Sequence, residues 1–152
     1  MSKPDPEPME LALQEARAAA ERGEVPVGAV IVDGETGHLL ATAGNHTEDW
    51  ADPTAHAELL AIREAAENRG RPRLEGCDMY VTLEPCAMCA AAISLARIRR
   101  LYFAAYDPKM GGVEHGPKFF HQPTCHHRPE VVGGLDETEA AELLKRFFKD
   151  KR

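Results

Sequence analysis

Two short stretches, His56-Ala57-Glu58 and Pro85-Cys86-Ala87-Met88-Cys89, constrain this chain more than any other feature of it. A fold that uses them together must bring one imidazole, two thiols and a carboxylate to a single place. One nitrogen and two sulfurs suit a catalytic zinc ion, which keeps a fourth position open for water. Glu58, two residues from His56, can stand near such an ion without being its ligand. Each half alone has a plainer reading. A Cys-x-x-Cys is often a redox pair or half of a structural zinc site, and a His-x-Glu at a helix start can be a capping arrangement with a surface histidine. Joined, these readings weaken. A structural tetrahedral site wants four protein ligands, yet Cys77 and Cys125 have no cysteine partner at close spacing. A redox pair has no use for His56 and Glu58.

The rest of the chain is consistent with one catalytic domain. Its 152 residues, 43% of them hydrophobic, can fill one core but not two. We expect a flexible N-terminal segment over residues 1–8, where prolines punctuate the chain, and a single domain over residues 9–152. No segment approaches the roughly 18 apolar residues that cross a bilayer, and the start has no apolar signal region. Four cysteines, two of them in a metal motif, favour a reducing compartment. Cytoplasm is the expected location. The net charge of −7 is unevenly spread: Met1–Ala66 has 4 Lys and Arg against 13 Asp and Glu, and Glu67–Arg152 has 14 against 12. Cations gather in the tail, where Lys145, Arg146 and Lys149 surround Phe147-Phe148. Such a segment can track a phosphate backbone. It can equally be a helix end with its aromatic residues in the core.

Helix and strand patterns alternate. Met9 to Arg22 is amphipathic and stops at Gly23, Val25 to Val32 reads as a strand, and His38 to Gly44 returns after a turn. Thr54 is the expected start of a helix running to Asn68, with Gly70 beyond its end. Asp78 to Leu83 and Leu101 to Ala105 read as strands around a small-residue helix from Cys86 to Ala96. Loops follow, then a short strand at Glu130 to Val132. A final helix to about Lys149 should be capped by Asp136 with Glu139. Both candidate ligand clusters therefore fall at helix N-termini, where unpaired N–H groups should depress the pKa of Cys86 and of Cys89.

The chemistry follows from these groups. Zinc with three protein ligands acidifies water to a pKa of about 7. Glu58 can take that proton and deliver it to a ring nitrogen, and can then protonate the departing amine, acting in turn as base and acid. The reaction replaces an exocyclic amine with oxygen, so the substrate is an amino-heterocycle; the His-Glu-x-x-His pattern of peptidases is absent. Asn45, at a strand end before the loop to His56, offers an amide to the base, with a turn or cap residue as the plainer reading.

His-x-Glu followed by Pro-Cys-x-x-Cys is the pattern of zinc nucleobase deaminases. The chain resembles the cytidine-deaminase-like superfamily, most closely its bacterial tRNA-specific adenosine deaminases, from about Met9 to Arg152. The resemblance rests on Glu24-Val25-Pro26-Val27-Gly28-Ala29-Val30, Asp52-Pro53-Thr54-Ala55-His56-Ala57-Glu58 and Tyr80-Val81-Thr82-Leu83-Glu84-Pro85-Cys86-Ala87-Met88-Cys89, with His127-Arg128 and Phe147-Phe148 near the end. It implies a three-layer α/β/α sandwich around a mixed five-stranded sheet, working as a homodimer. It also implies conversion of adenosine to inosine at the wobble position of tRNA, with one zinc per subunit on His56, Cys86 and Cys89. Glu58 would shuttle protons and Asn45 would contact the flipped base. Lys145, Arg146 and Lys149, with Arg128, would meet the anticodon stem-loop. The family commonly has Asn where this chain has His126, a position near the bound nucleotide. A deaminase of a free nucleobase such as guanine or cytosine shares the zinc motif and is the alternative. A non-enzymatic zinc scaffold would have no use for Glu58.

Overall fold

The computed structural model describes residues 7–150, so most of the segment expected to be flexible, residues 1–8, lies outside the described residues. The chain runs α1 (Pro8–Glu21), β1 (Gly28–Asp33), β2 (Leu39–Gly44), α2 (Ala57–Arg69), β3 (Cys77–Leu83), α3 (Ala87–Leu95), β4 (Arg100–Ala105), β5 (Glu130–Gly133) and α4 (Glu137–Asp150). The sheet order is β2-β1-β3-β4-β5. β1 runs antiparallel to β2 and β3, while β3, β4 and β5 are parallel. Parallel neighbours need a crossover, and α3 supplies the one between β3 and β4.

Alternation along β1 divides the core. Ala29 and Ile31 join Ala61 of α2 and Ile93 of α3 in one apolar cluster, and Val30 and Val32 join Leu13 of α1 and Ala140 of α4 in another. Both faces of the sheet are thus covered, which gives the three layers expected. The approach of α1 to β1 is close enough to require a missing side chain: a Cβ on Gly28 would lie 2.0 Å from the Ala12 carbonyl oxygen.

Three local expectations are corrected. Val25–Val27 do not join the ladder, because Pro26 has no N–H to donate and Val27 N–H turns back to the Val25 carbonyl at 2.8 Å. Thr54 does not start α2. Its N–H and hydroxyl both bond Asp52 Oδ1, at 2.9 and 2.7 Å, and the N-cap is His56. The box of Asp136 with Glu139 does not form either. Asp136 sits at φ 58, in the left-handed region, and the Glu139 carboxylate pairs with Arg17 of α1 instead.

Candidate active site

His56 and Cys86 are the N-cap residues of α2 and α3, and neither bonds its own helix with its side chain. An N-cap side chain ordinarily turns back to a free N–H of the first turn. Released from that duty, these two converge. His56 Nδ1 lies 3.6 Å from Cys86 Sγ and 3.6 Å from Cys89 Sγ, and the three donor atoms lie within 4.8 Å of one another. A zinc ion bonding nitrogen at about 2.05 Å and sulfur at about 2.3 Å with tetrahedral angles holds them about 3.6 Å apart. The donor set fits the ion in chemistry and in spacing.

The two thiols differ. A hydrogen bond from Cys89, aided by His56, draws Cys86 down to about 4, whereas Cys89 is pushed up by that same contact and by burial. Cys86 falls as expected, though chiefly through the Cys89 thiol and not the helix N-terminus, and Cys89 rises against expectation. Thiols in contact share one negative charge, and a second thiolate beside the first calls for a cation. The hydrogen bond with Cys86 also raises His56.

Glu58 lies in the first turn of α2, is 4% exposed, and lines the pocket that holds His56 and Cys86. Burial pushes its carboxyl up to about 7, and the Cys86 charge acts in the same direction. A carboxyl in that range can both take and give a proton near neutrality. A dication beside it acts the other way, favouring the carboxylate.

Asn45 follows β2 directly and lines the same pocket, where its Oδ1 accepts the Ala57 N–H at 2.8 Å. That N–H can only donate, so it fixes which amide atom is oxygen. The plainer reading holds: Asn45 caps α2 from another element through its oxygen, and its NH2 half takes no part in that cap. Asn45→Asp is expected to preserve the cap and lose the donor. Its melting temperature should stay within a few degrees of the parent, while kcat/KM falls ~10- to 100-fold, as for loss of one hydrogen bond to substrate. Thermal melts and steady-state kinetics on one preparation check this.

The pocket, about 210 Å³, shares Val25, Leu83, Asp107 and Met110 with an adjoining cavity of about 650 Å³ that reaches Leu144 and Phe148 of α4. The aromatic end of α4 therefore borders the way to His56 and Cys86. Lys145, Arg146 and Lys149 are exposed on that helix. At 100° per residue, Lys145 and Lys149 share one stripe of the helix, to one side of Phe148. Arg146 instead lines a cavity against α1 with Arg17, Glu139 and Glu142. His126 and Arg128 are exposed, and neither lines the pocket. Between them His127 is tied inward, with Nε2 at 2.7 Å from the Ile98 carbonyl and its own carbonyl accepting the Ser94 hydroxyl at 2.7 Å. Trp50, before His56, is exposed and stacks on His46 with centroids 4.3 Å apart.

Sequence reasoning missed two buried carboxylates that shape the pocket. Glu24 holds the turn after Asn45 through Thr47, Glu48 and Asp49, and Glu84 holds the loop that carries Asp107 and Met110. The available signal was a glutamate set directly against an apolar or cysteine motif, as in Leu83-Glu84-Pro85-Cys86.

This geometry agrees with what the chain is similar to. The family described as the cytidine and deoxycytidylate deaminase zinc-binding region matches residues 2–105. A tRNA-specific adenosine deaminase of Agrobacterium fabrum is 61% identical over 144 residues, 95% of this chain and 93% of that one. The chain belongs to the tRNA-specific adenosine deaminase family of zinc deaminases. A tRNA-specific adenosine deaminase of Bacillus subtilis is 43% identical, over 95% of this chain and 88% of its own. A structure solved in studies of A-to-I editing at the wobble position of transfer RNA superposes with a TM-score of 0.87 at 61% identity, covering 90% of this chain and 98% of that one. Guanine deaminase from Nitrosomonas europaea superposes with a TM-score of 0.81 at 23% identity, over 92% and 82% of the two chains, and shares the fold. In a chain of this family, the His-Cys-Cys cluster and the buried glutamate that line one pocket are the candidate site of hydrolysis.

Proposed function

We propose that this chain hydrolyses adenosine to inosine at the wobble position of a tRNA anticodon, as a cytoplasmic homodimer with one zinc per subunit on His56, Cys86 and Cys89. The observation that carries the reading is Glu58, a buried carboxyl lining the same pocket as the zinc donors, which a purely structural metal site does not need. Identity of 61% over 95% of the chain to a tRNA-specific adenosine deaminase supports the choice of substrate over a free base. Among the described residues no helix is long and apolar enough to cross a membrane.

When bound, zinc supplies the Lewis acidity that makes water a nucleophile near neutral pH. Everything else belongs to the chain. Asn45 donates its amide N–H to the base, and Asp107 and Met110 wall it in. Glu58 receives a proton from the attacking water as the C–O bond forms and passes it to a ring nitrogen; it then takes the proton of the new hydroxyl and gives it to the amine as the C–N bond breaks, leaving a carbonyl. Water enters and ammonia leaves, with no change of oxidation state.

Incubation with an arginine tRNA bearing wobble adenosine should yield inosine; ammonia release from free guanine or cytosine with none from tRNA would refute the reading. Lys145 and Lys149 should carry the phosphate contacts. Replacing either with Ala is expected to reduce the slope of log affinity against log salt by about 0.7–0.9, the worth of one contact. Arg146→Ala should change the slope less, since Glu139 and Glu142 line its surroundings. Binding titrations at several salt concentrations measure all three.

A further inference from the structure

Glu84 follows β3 and precedes Pro85-Cys86, and it is 2% exposed. Its Oε1 accepts the Asp107 N–H at 3.0 Å and faces His115 Nδ1 at 2.8 Å. Its Oε2 accepts the N–H groups of Val113, Glu114 and His115 at 3.2, 2.9 and 3.1 Å. Among the described residues its ion-pair partner is His115, with no Lys or Arg on it. The carboxylate is spent on backbone amides, and it gathers one loop, Asp107 to His115, around a single point.

That loop matters to the pocket. Asp107 and Met110 line it, and Asp107 Oδ1 accepts the N–H groups of Lys109 and Met110 at 3.1 Å each, passing the anchor along to Met110. The loop also lies against the ligand segment. Gly112 N–H donates to the Pro85 carbonyl at 2.8 Å, and Cys86 bridges Gly111. A Cβ on Gly112 would stand 2.6 Å from Ala87 N, so the two backbones have no slack between them.

We propose that Glu84 is a positioning residue for the deamination: by clamping the loop Asp107–His115 it holds the pocket wall against which the substrate base is seated. Glutamine cannot replace it, although the shapes match. Whichever terminal atom becomes NH2 must then face the Asp107 N–H donor on one side or three backbone N–H donors on the other. Cys86 touches this loop through Gly111, but Cys89 lies within α3 and His56 at the N-cap of α2, so the three donors should keep their ion.

The proposal rests on the deaminase reading, and its test separates the two. Glu84→Gln is expected to raise KM for tRNA ~10-fold or more, leave kcat within about threefold, and retain one zinc per chain, because a wall displaced by about 1 Å costs binding geometry and not the proton shuttle. A purely structural role would lower the yield of folded enzyme without moving KM. An unchanged KM, or zinc lost in step with activity, overturns the proposal. Hydrogen exchange on the wild-type protein covers the case of a variant that does not fold. The amides of Asp107, Val113, Glu114 and His115 should exchange as slowly as those of β3, and exchange at open-loop rates overturns the clamp. A wild-type enzyme that makes no inosine would count against the deaminase reading, and the exchange result would then decide the clamp by itself.

Discussion

Glu58→Gln is expected to reduce inosine formation by at least ~10³-fold while zinc stays bound at one ion per chain, the size of effect a positioned general acid and base provides. Glutamine fills the same space on the first turn of α2 and leaves His56, Cys86 and Cys89 untouched. What it lacks is a proton to give and a site to receive one. The variant should therefore bind tRNA normally, and the loss should fall on kcat. Stability supplies an independent sign. Glu58 titrates from the ordinary 4.5 up to about 7 in the fold, so the folded state holds its proton longer than the unfolded chain does. Folding stability owed to the protonated form is complete below 4.5 and lost as pH rises toward about 7. In chelator-treated protein, Glu58→Gln should grow more stable relative to the parent across that window and hold its advantage above it. Melting temperatures across the pH range test this, and an advantage that shrinks with rising pH would contradict the burial argument.

Cys89→Ala should be the most damaging change to the metal centre. It removes the buried donor, 3.6 Å from His56 Nδ1, and leaves a site with two ligands. Zinc content should fall from one per chain to near zero and activity with it. The structure predicts a second loss, because His56 and Cys86 occupy the N-caps of two different helices. An ion bound there ties α2 to α3, and a metal present at ~1,000 times its Kd stabilises the fold by about 4 kcal/mol. Chelation should thus lower the melting temperature of the parent and leave that of Cys89→Ala unmoved. A variant that keeps a full equivalent of zinc and its activity would remove Cys89 from the ligand set.

The site was legible in the sequence to different depths, for physical reasons. Metal donors are few in kind, so the meeting of His56, Cys86 and Cys89, which the fold brings within 4.8 Å of one another, could be read from their two motifs. The order of helices and strands was legible too, from period-two and period-3.6 patterns, while the three layers came from the resemblance. Caps were not. Thr54 has the composition of a helix start, but Asp52 competes for both its N–H and its hydroxyl, and Asn45 caps α2 from a distant position. Asp136 and Glu139 match a capping pattern that fails because Arg17, far away in sequence, takes the carboxylate. Glu24 and Glu84 were hidden for a related reason. Their partners are mostly backbone N–H groups, which every residue but proline owns and no motif records.

The central claim is that one divalent ion, held by three side chains, is required for the reaction. The most direct measurement is a titration of zinc into stripped protein, with inosine formation and bound metal followed together. The account predicts no activity without metal, and a linear rise that levels off at one zinc per chain. Full activity in the stripped protein, or a plateau that needs a second ion, would contradict it.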